Sequence, residues 1–291
     1  MTFIKKMVSR NKWVTAAVVV AVIVLSVFAL DQRLTVVSYH VESDKLIQGS
    51  SMRIVLLSDL HGTVYDDNQQ ELIQTVNRQN PDVILIAGDM VDRSVTTHAL
   101  ELLLEGIHGT APVYYAAGNH EYDVRQKAVD TFALLESYGV VVLSDDHREL
   151  NIGGNDIVIA GRDDKKRSSA GWNDYDYADS MDRLGRRLNE IDGYKILIAH
   201  RPDTDGTYAK YSIDMVVSGH AHGGQIRLPP FNNGLVAPDQ GFFPKYVGGL
   251  YPRNGQSHIV GRGLAVKFFR PRIFNRPEVV VIDLAAADSE R

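Results

Sequence analysis

Residues 54–62 constrain this chain more than any other stretch: the apolar run Ile54-Val55-Leu56-Leu57, suited to a buried strand, stops within a few residues at Asp59 and His61. Alternate side chains of an extended segment share a face, so Asp59 and His61 are expected to point the same way. Four further apolar runs end alike. Asp82–Ala87 leads to Asp89, Pro112–Ala117 to Asn119 and His120, Tyr194–Ala199 to His200, and Ile213–Ser218 to His220 and His222. On this pattern all of these side chains are expected at one edge of one sheet.

Between the runs the apolar spacing becomes helical. Leu72, Ile73 and Val76 mark a helix within Asp66–Asn80, Leu100, Leu103 and Leu104 one over about Thr97–Ile107, and Val124–Tyr138 a third that Gly139 stops. Regular strand–helix alternation argues for the α/β class. Leu34–Val41, Val140–Leu143, Leu150–Ile152, Asp156–Ala160 and a terminal Glu278–Leu284 read as further strands, with Gly153-Gly154-Asn155 turning a hairpin. Arg162–Asp182, rich in Asp, Ser, Lys and Tyr, reads as a surface loop near the site, with a short helix over Arg183–Ile191 after it. Within that loop Asp174, Asp176, Asp179 and Asp182 resemble a calcium loop only loosely, since the required Gly and distal Glu are misplaced.

The N-terminus is organised differently. Residues 1–12 carry Lys5, Lys6, Arg10 and Lys12 without an acid, and residues 13–30 contain no charge. As a helix the second stretch would be ~27 Å long, close to the hydrocarbon thickness of a bilayer. It predicts a retained single-pass anchor; a cleaved signal peptide ending near Val27-Phe28-Ala29 and a buried core helix are the alternatives. Basic residues before the apolar run place the N-terminus in the cytoplasm and the rest outside the cell membrane. The expected organisation is thus a basic tail over 1–12, an anchor or uncleaved signal over 13–30, a connecting segment with the first strand over 31–50, and a catalytic domain over 51–291.

The sequence contains no Cys, which excludes disulfides, thiolate metal sites and cysteine nucleophiles, so any metal must be held by nitrogen and oxygen. Beyond the basic tail, 27 basic residues face 36 acidic ones, a net charge near −9 and a poor balance for nucleic-acid binding. Seven or eight ligand-type side chains at the carboxyl ends of five strands suffice for two adjacent metal positions, the arrangement that clamps a phosphoryl group.

In chain order, Asp59-x-His61, Gly88-Asp89-x-x-Asp92, Gly118-Asn119-His120-Glu121, His200 and Gly219-His220-x-His222 resemble the five signature blocks of the calcineurin-like metallophosphoesterase superfamily. With Gly223-Gly224-Gln225 after the last block and the apolar segment in front, the chain is most similar to the bacterial membrane-associated phosphodiesterase branch. The resemblance implies an αββα four-layer sandwich, two mixed sheets flanked by helices. It also implies one metal on Asp59, His61, Asp89 and His222, a second on Asp89, Asn119, His200 and His220, and a bridging hydroxide as nucleophile. His120 would be the proton donor or phosphate-binding histidine. Two divalent ions from Mn, Fe, Zn and Co suit such mixed nitrogen and oxygen ligands better than Mg alone. Asp92 is expected to orient a ligand or cap a helix, and Gly223 and Gly224 to allow close backbone approach.

The implied activity is phosphodiester hydrolysis at a membrane surface. The alternatives are a pyrophosphatase of lipid-linked nucleotides such as UDP-diacylglucosamine and a catalytically silent, membrane-tethered metal-binding module. Arg162 is a weaker candidate for contacting substrate phosphate, while His40, His98, His108, His147 and His258 read as surface or packing residues. Finally, Gln240–Pro277 holds Lys245, Arg253, Arg262, Lys267, Arg270, Arg272 and Arg276 without an acid, interleaved with aromatics that include Phe242, Phe243, Phe268 and Phe269. Two readings stand for it: a solvated loop in which Arg262 pairs with an acid, or a surface that steers the domain onto anionic lipid. The second predicts that Lys267, Arg270 and Arg272 matter for vesicle substrates only.

Overall fold

The computed structural model describes residues 2–169, 172, 175–202, 206–229, 231–253, 255–267 and 270–287. After helix α1 (Thr2–Ala29) the chain runs through β1 (Thr35–Ser43), β2 (Ser51–Leu57), α2 (Gln70–Asn77), β3 (Val83–Ala87), α3 (His98–Ile107), β4 (Val113–Ala116), α4 (Arg125–Ser137) and β5 (Val141–Val142). It continues with β6 (Asp146–Ile152), β7 (Asn155–Arg162), α5 (Tyr177–Asn189), β8 (Tyr194–Ala199) and β9 (Met215–Ser218). Short ribbons follow, β10 (Arg227–Leu228) with β11 (Phe231–Gly234) and β12 (Val236–Ala237) with β13 (Gly241–Phe242), before β14 (Gly249–Arg253), β15 (Gln256–Val260) and β16 (Glu278–Ala286).

Two mixed six-stranded sheets result, ordered β1-β16-β2-β3-β4-β5 and β14-β15-β9-β8-β7-β6. Strands β2 to β5 run parallel, and β16 joins β2 antiparallel. In the second sheet β15, β9, β8 and β7 are parallel between antiparallel edge strands. The apolar runs are explained by their position, because each parallel strand is covered on both faces. Ile54 and Leu56 face the inter-sheet core with Ile196, Ile198, Met215 and Val217. Val55 and Leu57 face outward onto the helices that bury Leu72, Val76, Leu100, Leu103 and Leu135. On the far side Met181, Leu184 and Leu188 of α5 cover Val158, Leu197 and Val216. Truncating any of these fully buried leucines to Ala should cost about 2–5 kcal/mol.

The four-layer sandwich agrees with the expected fold, and three expectations need correction. The ligand-bearing strands do not share one sheet: β2, β3 and β4 lie in the first, β8 and β9 in the second. The helix expected over Arg183–Ile191 starts at Tyr177, because the Asp176 side chain caps it by accepting the Asp179 N–H at 2.9 Å. Asp179 then pairs with Arg183, and Asp182 with Arg186 at 2.8 Å, one turn on in each case. The acids that loosely resembled a calcium loop are a cap and two surface pairs; Asp174 lies outside the described residues. Third, Pro, Gly and Asn dominate the sequence from Leu228 until the terminal strand, which suggests no strand between, yet this stretch supplies β15, an interior strand of the second sheet that pairs with β9. Its apolar residues, Ile259 and Val260, are too few to reveal it by periodicity.

The side chains of residues 12–29 in α1 are almost all exposed, which contradicts a buried core helix. Lys12–Ala29 is long and apolar enough to cross a membrane. Segment 31–50 contributes β1, which pairs with β16 over its whole length.

Candidate metal centre

Each sheet delivers its ligand-type side chains on the loop after a strand rather than on the strand itself. Asp59, His61, Asp89, His220 and His222 all have φ between 47° and 66°, in the left-handed region that favours glycine. Side chains held there cost about 1–2 kcal/mol each, so the surrounding contacts must impose the conformation. The expected extended geometry for Asp59 and His61 is therefore replaced by a sharp turn, stitched to the next loop by Asp59 N–H to the Gly88 carbonyl and His61 N–H to the Asp89 carbonyl, both at 3.0 Å. Glycine is required where loops pass closest: a Cβ on Gly118 would collide with the Asp89 carboxylate and one on Gly219 with that of Asp59. Gly223 and Gly224 also serve backbone approach, with positive φ and no room beside Asn275 and Gly234.

The side chains gather into two groups. Asp59, His61 and His222 offer donor atoms within 4.8 Å of one another, as do Asp89, His200 and His220. Asp89 Oδ2 lies between the groups, 3.7 Å from His61 Nε2 and 3.1 Å from His200 Nε2. Asp59 Oδ1 lies 4.0 Å from His61 Nε2 and 3.7 Å from His222 Nε2. Asn119 completes the gathering, its Oδ1 buried and without a hydrogen-bond partner among the described residues.

The donor set fits cations. His200 Nδ1 donates to the Ala87 carbonyl at 2.7 Å and His220 Nε2 faces the Asp239 carboxylate at 3.0 Å. Their other nitrogens then lie 3.2 Å apart, where a cation could engage both. Burial, with the charges of His200 and Arg201 added, holds His220 far below the usual imidazole range, and burial beside His61 and Arg272 does the same for His222. Both are therefore neutral, as metal ligands must be. Burial also pushes Asp59 up, an effect that nearby His200 opposes and Asp89 reinforces. Across the Asp89–His200 contact, burial works against both charges, yet the pairing prevails: Asp89 is held low and His200 pushed up to about 10. A cation there takes the place of the His200 proton. The buried His61 Nε2 has no hydrogen-bond partner among the described residues, and a cation would satisfy it.

Around this floor lie further groups, some expected from the sequence and some not. Glu121 is fully buried, and its carboxylate accepts the N–H groups of Asp89, Met90 and Gly118 at 2.8–2.9 Å, binding two ligand loops together. His120 is half-buried; its Nδ1 donates to Asp123 Oδ2 at 2.6 Å, and Asp123 is in turn paired with Lys166. Asp92 lies 3.7 Å from both His61 Nδ1 and His120 Nδ1 and 2.6 Å from Lys267 Nζ. His61 and Lys267 hold its carboxyl well below the usual range against the effect of burial. Arg201 grips Asp164 through two nitrogens, at 2.6 and 3.1 Å, and also reaches Asp239 and His220. Asp123 could have been suspected from its place three residues after His120, and Arg201 from following His200 directly. Nothing local marks Lys267 or Asp239.

A cavity of about 740 Å³ opens over the centre, lined by His61, Asp89, Asn119, His120, His220 and His222. Lys267, Arg270 and Arg272 line it too, as do the apolar Ile226, Val236 and Ile273. Arg162 is not in this wall: it is buried against the Tyr177 ring, 3.6 Å from its centroid, in an adjoining pocket that also contains Arg201 and His220.

Of the cations of Gln240–Pro277, Arg272 is buried, Lys245 and Arg270 are exposed, and Arg253, Arg262, Lys267 and Arg276 are half-buried. Arg262 pairs with Glu278 at 2.5 Å, as its bland reading anticipated. Arg272 is buried and donates to the carbonyls of Ala265, Arg262 and Gly263 at 2.8–3.1 Å. Lys267 and Arg270 face the cavity, so a soluble diester should sense them too. Phe268 and Phe269 lie outside the described residues.

The profile of the calcineurin-like phosphoesterases matches residues 52–224. The chain is 30% identical over 243 residues to an uncharacterized metallophosphoesterase of Bacillus subtilis, YkuE, covering 81% of this chain and 80% of that protein. An uncharacterized metallophosphoesterase of Aquifex aeolicus is 28% identical over 256 residues, covering 86% and 92%. Among solved structures, the NAD nucleotidase NadN of Haemophilus influenzae superposes with a TM-score of 0.53 at 17% identity, a likeness of fold alone. It covers 75% of this chain, which spans less than half of that protein, 46%.

Proposed function

This chain belongs to the calcineurin-like phosphoesterase family, and we propose that it is a membrane-anchored, metal-dependent phosphoester hydrolase of the phosphodiesterase type. The observation that carries this reading is the pair of adjoining donor groups, Asp59/His61/His222 and Asp89/His200/His220, with Asp89 between them and His120 beside them. A carboxylate can serve two ions at once through its two oxygens, which suits Asp89 to the shared position.

When bound, two divalent ions supply Lewis acidity toward the phosphoryl oxygens and lower the pKa of water toward neutrality. The remaining work belongs to the chain. The Asp239–His220 contact orients that imidazole, Asp92 places a carboxylate 3.7 Å from His61 Nδ1, and Glu121 fixes the loops that carry Asp89 and Asn119. His120, with Nδ1 committed to Asp123, presents Nε2 as the atom that can deliver a proton to the departing alkoxide. Lys267 and Arg270 add positive charge to the cavity lining.

The anchor reading rests on the exposed apolar span Lys12–Ala29 and on the basic residues before it, with the catalytic domain placed outside the cytoplasm. A silent scaffold would be expected to lack part of the donor set, whereas each of the expected ligands is present. The test is turnover of bis(p-nitrophenyl) phosphate and p-nitrophenyl phosphate by the full-length chain with added Mn. Faster hydrolysis of the diester, abolished by a chelator, is the expected result; no turnover of either ester with any of Mn, Fe, Zn or Co would leave the scaffold reading.

A further inference from the structure

Part of the cavity lining is continuous with the segment that meets the end of α1. The Phe274 N–H donates to the carbonyl of Ala29, the last residue of the helix, at 2.7 Å, and Gln32 Nε2 donates to the Arg272 carbonyl at 2.8 Å. Arg276 donates to the carbonyls of Arg33 and Leu34, both at 2.9 Å, and the Thr35 N–H bonds to the Pro277 carbonyl at 3.0 Å. No slack linker separates the apolar helix from the catalytic domain. Residues 270–273, which line the cavity, run straight into this joint.

The same cavity is chemically mixed. Imidazoles, carboxylates, Lys267 and Arg270 line it together with the apolar Ile226, Val236 and Ile273. Ile226 and Ile273 are paired by a β-bridge, so this strip is continuous. It also reaches the surface: Val236 pairs with Phe242, and Phe242 and Phe243 are 74% and 77% exposed. Two adjacent phenylalanines fully presented to water are unfavourable in a soluble setting and suited to a bilayer interface.

We infer that the cavity takes an amphiphilic phosphoester supplied by the bilayer that holds α1, with its head group at the metal centre and its alkyl portion along Ile226, Val236 and Ile273. Phe242 and Phe243 enter the interface beside the helix end and keep the cavity mouth at head-group depth. This inference rests on the hydrolase reading and adds its substrate class. The phosphoester contributes the anion that Lys267 and Arg270 complement, and the alkyl chain covers a strip that a small soluble diester leaves wet.

The experiment uses the full-length chain in phosphatidylcholine nanodiscs with added Mn and two chromogenic diesters, methyl and octyl p-nitrophenyl phosphate. The octyl ester should be hydrolysed with about tenfold or greater kcat/KM, the gain expected from burying two or three methylenes. Val236→Asn, and separately Ile226→Asn as a second variant in case either folds poorly, should bring the octyl-to-methyl ratio toward one. A ratio of one in the unaltered chain overturns the inference while leaving the hydrolase reading intact. An octyl advantage unchanged in both variants reflects partition into the disc and likewise overturns it. Binding is read apart from turnover, by phosphorus NMR line broadening of octyl and methyl phosphate with the metal-free protein. Broadening confined to the octyl ester, with neither diester cleaved in the presence of metal, supports the inference and defeats the hydrolase reading alone.

Discussion

The floor and the roof of the cavity are built by opposite means. The floor consists of five short loops, each following a buried parallel strand, whose ligands arise from residues one to four positions past the strand end. The roof, from Gln225 to Pro277, gives β14 and β15 to the second sheet, and its remaining ribbons and loops are held by side chains bonded to backbone, Arg272 within its own segment and Asn275 back to His222 and Gln225. The family profile stops at residue 224, where the floor ends. The contrast teaches that the candidate metal centre is carried by local, strand-anchored turns, whereas the segment that closes over it depends on side-chain contacts to backbone.

If that division holds, floor substitutions should alter metal content and kcat, and roof substitutions stability and KM. The largest effect is expected for Asp89→Asn, which removes the one carboxylate placed between both donor groups. Metal content, measured by elemental analysis, and diester turnover should fall together; two ions and normal turnover in this variant would defeat the shared-ligand assignment. Next comes His120→Ala, for which kcat should drop by ~10²–10⁴ with metals retained, the range for losing a general acid. Loss of the metals instead would make His120 a ligand.

Arg272→Leu moves to the roof. Three carbonyls lose their donor, and the expected cost is about 3 kcal/mol of stability, visible as a lower denaturant midpoint. An unchanged midpoint would show that the roof is not held as described. The smallest effect belongs to Lys267→Gln, which should raise KM for a soluble diester about tenfold or less while kcat changes little. A fall in kcat with unchanged KM would instead tie Lys267 to the floor through Asp92, which it contacts at 2.6 Å.

The same division explains what could be read from the sequence. That Asp59, His61, Asp89, Asn119, His200, His220 and His222 would come together was legible because an apolar run followed within a few residues by a donor is a local pattern, and repetition made it specific. That the ligands arrive from two sheets was illegible from the runs, since strand order depends on pairings such as β16 with β2, formed by residues more than 220 apart. The left-handed turns at Asp59 and His61 were hidden for another reason: residue alternation assumes an extended chain and carries no signal of where it ends. In the roof, Arg272 looked like a solvated cation because nothing in its neighbourhood shows that three carbonyls lie within its reach. Arg262 was partly legible, its partner Glu278 lying only sixteen residues away at the start of the last strand.

The central claim is a centre of two cooperating ions, and the most direct measurement is a metal titration of the chelator-stripped full-length chain, with bis(p-nitrophenyl) phosphate turnover followed at each step. The account predicts negligible turnover without metal and activity that levels off at about two ions per chain, the stoichiometry of a two-metal phosphoryl clamp. Full activity at a single ion per chain, or turnover in the stripped protein, would contradict it.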